Sequence, residues 1–172
     1  MPQRCTTRAF TSVLALIASF GTASAAETDI TIGMQLEPPH LDPTSAAAGA
    51  IDNVVYSNIF EGLTRFMGDG SVVPGLAKSW DISDDGLRYT FHLRGDVQFH
   101  DGTAMDAADV KFSLDRARAE DSTNAQKALF AGIADVAVID PLTVALTLEA
   151  PNGNLLFNLA WGDAVIVAPE TI

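Results

Sequence analysis

Three histidines are the side chains of this sequence best suited to acid–base or metal chemistry near neutral pH. They are His40, His92 and His100. An imidazole serves as a general base or a metal ligand, but a metal site needs several ligands at defined spacings. The chain contains no H-E-x-x-H motif, no C-x-x-C motif and no close pair of histidines. The pattern therefore predicts no metal site and no catalytic residue.

The adjacent residues His100 and Asp101 are the only pair that could be taken for part of a catalytic triad. Neighbouring residues of a strand point to opposite faces, so such a pair rarely forms one. The Asp101-Gly102 dipeptide is instead typical of a turn, and His92 is expected on the polar face of a strand. A small secreted hydrolase or metalloenzyme that uses His92, His100 and nearby aspartates is kept as an alternative function.

Other motifs with a chemical mechanism are missing from the sequence. It has no G-x-S-x-G elbow, no P-loop and no G-x-G-x-x-G turn. Asp84 and Asp85 are adjacent in a predicted turn, where they suit backbone capping better than paired acid–base work. Trp80 and Trp161 could stack on a ligand, but their apolar neighbours favour packing in the core.

Composition limits the class of protein. The chain has 172 residues, of which 48% are hydrophobic and 19% charged, so it is neither disordered nor fibrous. Twenty-two acidic against ten basic side chains give a net charge of −12. The basic residues form no run, whereas phosphate binding requires a clustered basic face, so nucleic acid is not expected as a partner.

The first 25 residues have the organisation of a cleavable export signal. Arg4 and Arg8 precede an uncharged apolar run from Ala9 to Phe20, and Ala23-Ser24-Ala25 follows. A positive segment, a short apolar segment and an A-x-A site mark a secretory signal peptide. The apolar run is shorter than the ~20 residues that span a bilayer. Cleavage after Ala25 leaves 147 residues with no cysteine and a net charge of −14.

The hydrophobic pattern of the remaining chain predicts an α+β fold. Alternation predicts a strand over 30–36, and helical spacing predicts a helix over 51–59. Short strands with tight turns follow, and the clearest is 88–94. Asp106 is a predicted N-cap for a helix that carries Val110, Leu114 and Ala117. The remaining expectations are a helical turn entering a strand over 76–82, a short helix over 124–131, a hairpin over 136–148, a helix near 155–159 and a buried strand over 165–167.

Several short stretches run in order through the chain and together form one recognisable pattern. They are Leu41-Asp42-Pro43, the run from Asn58 to Leu63, the run from Val73 to Trp80, the run from Asp84 to Arg94, the run from Val97 to Thr103, the run from Ala108 to Leu114, the run from Asp140 to Val144, and Glu149-Ala150-Pro151. In this series the chain resembles the family 5 periplasmic solute-binding proteins of ABC importers, which deliver peptides, nickel complexes and related solutes.

The resemblance implies the fold and its divisions. Members are two-lobed binding proteins of the class II-like type with an extra subdomain in the first lobe. On this pattern, residues 1–25 are the signal peptide, 26–60 begin the first lobe, 61–162 form the extra α+β subdomain and 163–172 return into the first lobe. Members are much longer, so the expectation is a truncated product or a fragment whose second lobe is absent.

The resemblance also implies what the protein does and where. It predicts a periplasmic component that captures peptides or similar small solutes and presents them to the permease subunits in the inner membrane. It predicts no enzyme activity and no cofactor, and a monomer when the protein is full length. A nickel-binding or other-solute member of the same family is the alternative within it. The implied ligand contacts follow Leu41-Asp42-Pro43 and are Ala47, Ala48, Gly49 and Ala50, where small residues let backbone groups approach a ligand.

Overall fold

A computed structural model describes residues 29–45, 49–56 and 58–171 of the chain. The chain divides into two units, Met1–Met34 and Gln35–Ile172. Of the first unit only residues 29–34 are described, and they form no regular secondary structure. The second unit holds all the elements that follow, and it has the α+β character that the sequence predicts. Its elements are α1 (Gly49–Val55), β1 (Thr64–Phe66), β2 (Val72–Pro74), β3 (Ala77–Ile82), β4 (Arg88–Leu93), α2 (Ala107–Arg118), β5 (Ile133–Asp140), β6 (Thr143–Leu148) and α3 (Leu155–Asn158), with 3₁₀ helices at Lys127–Phe130, Gly162–Ala164 and Pro169–Thr171.

The main sheet has four antiparallel strands in the order β3-β4-β6-β5. In β4 the residues Tyr89, Phe91 and Leu93 are buried, while those between them are partly or fully exposed. This is the period of two expected for a strand with one face on the core. The predicted hairpin between β5 and β6 is also present, with a turn at 140–143. The alternating residues of the sequence therefore face the core as predicted.

Helix α2 covers the buried face of this sheet. Asp106 caps it: its carboxylate accepts from the Ala108 amide at 2.6 Å, and the Asp109 carboxylate accepts from the Asp106 amide at 2.8 Å. This reciprocal pair satisfies amides that the first helical turn leaves without partners. Lys111 and Arg118 donate to the carbonyl oxygens of Val136 and Ile133, both at 2.9 Å. The helix is thereby tied to the edge strand β5.

A second, two-stranded sheet is formed by β1 and β2, which pair antiparallel and are joined by a turn over residues 67–71. The end of this sheet lies where three backbone segments, which contain Gly62, Leu76 and Ile166, come together through hydrogen bonds. The Leu76 amide donates to the Gly62 carbonyl at 3.0 Å, and the Ile166 amide donates to the Glu61 carbonyl at 3.0 Å. A methyl group added to Gly75 would lie 2.6 Å from the Gly62 oxygen. The crossing therefore requires glycine at this position because the backbones approach so closely.

Several sequence predictions differ from the structure, and the largest difference is at 30–36. This stretch is not a strand, and Ile30, Ile32 and Leu36 are 84%, 74% and 71% exposed. A strand is stable only with a hydrogen-bonded partner, and none of the described residues pairs with this stretch. The alternation of apolar and polar residues over 30–36 is therefore not sufficient to form a strand.

Smaller differences concern the ends of elements. Residues 77–82 are strand from the start, since pairing with β4 replaces the predicted helical turn. Helix α1 ends at Val55, before Ile59, and the predicted helix over 124–131 is a 3₁₀ turn. Residues 165–167 are buried as predicted, but they do not form the predicted strand. Among the described residues they make a single β-bridge, between Gly62 and Val165. Val97 and Phe99 lie outside the strands and pack on the core, partly buried.

The crossing at Gly75 gives a test of the fold. The Gly75→Ala substitution places a methyl group against the Gly62 carbonyl, so we expect the free energy of unfolding to fall by about 1–3 kcal/mol. Gly68→Ala is the matched control, because a methyl group there meets no described atom within 4 Å. Urea denaturation monitored by circular dichroism measures both variants. Equal stability of the two would show that the close approach is not a constraint.

Candidate functional site

The structure places only half of the predicted ligand-binding stretch. Ala47 and Ala48 lie outside the described residues. Gly49 and Ala50 are the first two residues of α1, where Gly49 is exposed and Ala50 is buried. A side chain added at Gly49 would meet no described atom within 4 Å. No described atom therefore occupies the space beside Gly49, whereas the Ala50 side chain packs inward.

The loop that leads into this stretch is fixed by Asp42. Its carboxylate accepts from the amide and the hydroxyl of Thr44, at 2.8 and 2.7 Å. Arg116 of α2 donates to the Thr44 hydroxyl and lies 3.9 Å from the Asp42 carboxylate. Burial acts to raise the pKa of Asp42, but the hydrogen bonds from Thr44 and Ser45 and the charge of Arg116 outweigh it, so the pKa lies below its usual value. The loop is thus anchored to the helix beneath the main sheet.

Helix α1 packs on the segment 160–163 through one of its faces. Asp52 and Tyr56 are four residues apart and share that face. The Tyr56 hydroxyl donates to the carbonyl oxygen of Ala160. A methyl group added to Gly162 would lie 2.4 Å from a carboxylate oxygen of Asp52. Asp52 therefore rests directly on the backbone of Gly162, where only glycine leaves room for it.

The next residue, Asp163, is a buried carboxylate with a shifted pKa. It is 6% exposed, and among the described residues no other residue donates a hydrogen bond to its side chain. Burial, and then the negative charge of Asp52, raise its pKa from 3.8 to about 6. Burial also raises the pKa of Asp52. The Asn124 amide donates to the Asp163 carbonyl at 2.8 Å and holds the backbone in place.

Tyr56, which directly follows α1, belongs to a cluster of four aromatic side chains. Tyr56 and Phe66 stack with ring centroids 6.0 Å apart, and Phe66 lies 5.8 Å from Phe157 and 6.4 Å from Trp161. Phe157 and Trp161 meet edge to face at 6.1 Å. Phe66, Phe157 and Trp161 are each more than a third exposed. Trp161, expected in the core, therefore presents part of its ring to solvent.

A cavity of about 710 Å³ lies on another part of the second unit. Its volume falls in the range of small-molecule sites. Two of its three carboxylates are engaged in hydrogen bonds, since Asp42 accepts from Thr44 and Asp101 accepts from the Thr103 amide and hydroxyl at 2.8 and 2.7 Å. The remaining lining is mainly apolar and comprises His40, Leu41, Asn58, Ile59, Phe60, Glu61, Leu76, Val97, Gln98, Phe99, His100, Met105, Ile166, Val167 and Ala168.

The histidines lie in different surroundings and do not form a common site. His92 lies on the polar side of β4 and contacts the Asp81 carboxylate at 2.9 Å. His100 precedes the turn in which Asp101 caps Thr103, as the sequence predicts. Within the described ranges, no three His, Cys, Asp or Glu side chains gather in a way that could hold a metal ion. The described helices also include none that is long and apolar enough to cross a membrane.

Comparison with known proteins identifies the family. The family model described as "Bacterial extracellular solute-binding proteins, family 5 Middle" matches residues 71–169, more than half of the chain. The chain belongs to this family of solute-binding proteins. The relatives are substrate-binding proteins and not enzymes, which confirms the prediction of no enzyme activity and removes the support for a hydrolase or metalloenzyme.

Individual relatives agree with this assignment. The glutathione-binding protein GsiB of Pectobacterium atrosepticum is 39% identical over 132 residues, which are 77% of this chain and 26% of the relative. GsiB of Salmonella paratyphi A is 34% identical over 156 residues, 91% of this chain and 30% of that protein. The chain therefore spans less than a third of the length of these relatives.

Solved structures of periplasmic binding proteins have the same fold. AgaA of A. tumefaciens R10, in complex with agropinic acid, aligns with a TM-score of 0.74 and 34% identity, covering 78% of this chain and 27% of AgaA. DppA of Helicobacter pylori, in complex with the peptide STSA, aligns with a TM-score of 0.66 and 30% identity, covering 76% of this chain and 29% of DppA. The predicted α+β fold of a periplasmic binding protein is confirmed.

The sequence did not reveal Asp52 and Asp163 as residues of interest. Each is a single aspartate with no motif around it, and only the packing of α1 on segment 160–163 brings them together. The burial of Asp163 depends on contacts with residues distant in the chain, such as the Asn124 amide that donates to its carbonyl oxygen.

Asp163 predicts a specific dependence of stability on pH. Because its pKa is raised when folded, the folded state binds the proton more tightly than the unfolded state. Stability from this group is present below the unfolded value of 3.8 and is lost as the pH rises through about 6. We expect Asp163→Asn to be more stable than the wild type at neutral pH by about 1–3 kcal/mol, and equally stable near pH 4.

Denaturant unfolding at a series of pH values measures this difference. Asp135→Asn, which changes an exposed carboxylate on β5, is the matched control and should follow the wild type. An Asp163→Asn variant that is less stable than the wild type at neutral pH would contradict the assignment of an unfavourable buried charge.

Proposed function

We propose that this protein is the extracytoplasmic solute-binding component of an ABC importer and that it captures peptides in the periplasm. The observation that carries the proposal is the match of residues 71–169 to the family 5 solute-binding proteins. The charge of −12 and the absence of catalytic motifs fit a protein that binds and releases its solute. The permease subunits of the importer are the proposed partners, and the complete protein is proposed to act as a monomer.

Peptides are the proposed solutes because several similar proteins are named for them. GsiB is named for glutathione, which is a tripeptide, and the solved DppA structure contains a tetrapeptide. An extended peptide can pair its main chain with exposed backbone groups. The stretch Ala47, Ala48, Gly49 and Ala50 is the proposed place for such pairing, and the open side of Gly49 supports it.

The proposed divisions of the chain follow the same reasoning. Residues 1–25 are proposed as the signal peptide, 26–60 as the start of the first lobe, 61–162 as its extra subdomain and 163–172 as the return into that lobe. The four-stranded sheet and α2 all lie within 61–162, which supports a subdomain at these residues. In a two-lobed protein the solute stabilises the closed arrangement by the extra contacts made there.

A nickel complex is a second candidate solute. The structure of NikZ from Campylobacter jejuni in complex with Ni(L-His) aligns with a TM-score of 0.69 and 34% identity, covering 78% of this chain and 26% of NikZ. A metal complex of this kind brings its own ligand, so it does not require a cluster of metal-binding side chains in the protein.

Isothermal titration calorimetry separates these solutes. The protein as its gene encodes it is titrated with a panel of di-, tri- and tetrapeptides, with glutathione and with Ni(L-His). We expect saturable binding of at least one peptide with a dissociation constant in the micromolar range or below. Binding of Ni(L-His) without any peptide would favour the nickel candidate, and no heat with any solute would contradict both.

The Gly49 position tests the proposed contact stretch. Gly49→Leu adds a side chain where no described atom lies within 4 Å, so the fold should be unaffected, while a ligand close to the backbone would be displaced. We expect the affinity for the bound peptide to fall by roughly tenfold or more. Gly132→Leu is the matched control, since it also meets no described atom within 4 Å and lies in the loop before β5. Unchanged affinity in Gly49→Leu would remove this stretch from the site.

A further inference from the structure

Strand β5 lies at an edge of the main sheet. It is the last strand in the order β3-β4-β6-β5, and among the described residues it pairs with β6 and with no other strand. An edge strand presents backbone groups to which a strand of another molecule can bind. The segment 136–139 of β5 is Val-Ala-Val-Ile, and Val138 and Ile139 are 44% and 54% exposed. An uncharged segment rich in β-branched residues is typical of strands that self-associate.

The register of β5 and β6 shows which backbone groups of β5 point to the free edge. Ile133 and Val136 pair with Leu148 and Leu146, which are two residues apart in β6. The Leu148 amide donates to the carbonyl oxygen of Leu87, on the side of β6 away from β5. Backbone groups alternate between the two sides of an antiparallel strand, so Leu146 is oriented like Leu148. The residues opposite them therefore direct their carbonyl oxygens away from β6.

Two basic side chains of α2 occupy these outward carbonyl oxygens. The Lys111 ammonium group donates to Val136 at 2.9 Å. The Arg118 guanidinium group donates to Ile133 at 2.9 Å and to Ala134 at 3.4 Å. Hydrogen bonds from charged donors are stronger than those between neutral backbone groups. The acceptors that an added strand would need are therefore already bound.

Asp115 holds both basic side chains in place. Its carboxylate lies 2.7 Å from the Lys111 ammonium nitrogen and accepts from the Arg118 guanidinium at 2.8 and 3.0 Å. Lys111 precedes it by four residues and Arg118 follows it by three, so all three share one face of α2. A single exposed ion pair contributes little, whereas one carboxylate shared by two cations restricts both side chains. We call Lys111, Asp115 and Arg118 the edge guard.

We propose that the edge guard prevents a second copy of this chain from adding its own β5 to this edge. A second copy is the partner that the edge fits, because it brings the same apolar segment 136–139 and can pair symmetrically with it. To do so it must displace the bonds from Lys111 and Arg118. The inference goes beyond solute binding and gives a physical reason for a monomer at this edge.

Removing the two donors tests the edge guard. Lys111→Met and Arg118→Met keep most of the apolar stem of each side chain and lose the charged group. The protein as its gene encodes it, both single variants and the double variant are compared by sedimentation velocity over a series of concentrations. We expect the double variant to self-associate at a concentration roughly tenfold or more below that of the wild type.

Two further variants separate the edge from other causes of association. Arg88→Met is the matched control for the loss of one positive charge, because Arg88 is an exposed residue of β4, which is paired on both sides. It should sediment like the wild type. Val138→Lys, added to the double variant, places a charge on the exposed part of β5 and should restore the behaviour of the wild type. Urea denaturation checks that each variant is folded, and the single variants carry the test if the double variant is not.

Hydrogen exchange locates the contact independently. The backbone amides of 136–139 should exchange more slowly in the associated variant than in the wild type, because a second strand would bind them. A folded double variant that sediments like the wild type would overturn the inference. Association that persists after Val138→Lys, or that leaves the exchange of 136–139 unchanged, would also overturn it, since the contact would then lie elsewhere.

Discussion

The crossing of backbones at Gly62 and Gly75 is the contact on which the rest of the structure depends. At this point the chain passes from β2 into β3, and the amides of Leu76 and Ala77 bind the carbonyl oxygens of Gly62 and Leu63. The returning segment binds at the same place, since the Ile166 amide donates to Glu61. A Cβ atom at either glycine would lie within 2.7 Å of a backbone oxygen. One crossing therefore fixes the two-stranded sheet, the main sheet and the returning segment together.

The same crossing also determines the position of the segment on which α1 packs. Segment 160–163 immediately precedes the residues that bind Glu61 and Gly62, so its position is set by the crossing. Helix α1 packs on that segment through Tyr56 and Asp52, and Asp163 is covered in the process. Burial raises the pKa of Asp163, so the ionised form of this carboxylate is unfavourable in the folded protein.

The sequence predicts the parts of this fold that depend on local patterns. The alternation of Tyr89, Phe91 and Leu93 identifies β4, and the spacing of Asp106 and Asp109 identifies the start of α2. The sequence-based prediction fails where the pairing of strands decides the secondary structure. Residues 30–36 have no partner strand among the described residues, and residues 77–82 pair with β4 from the first residue of the strand. The contact of Asp52 with Gly162 could not be predicted, because it is made by residues far apart in the chain. The series of short stretches indicates the family, but residues that set solute selectivity differ within a family.

A crystal structure of the protein, as its gene encodes it, with a bound peptide would test the central claim most directly. The account predicts that main-chain groups of the peptide lie about 3 Å from backbone groups of the stretch Ala47, Ala48, Gly49 and Ala50. A peptide bound elsewhere, without contact to this stretch, would contradict the account.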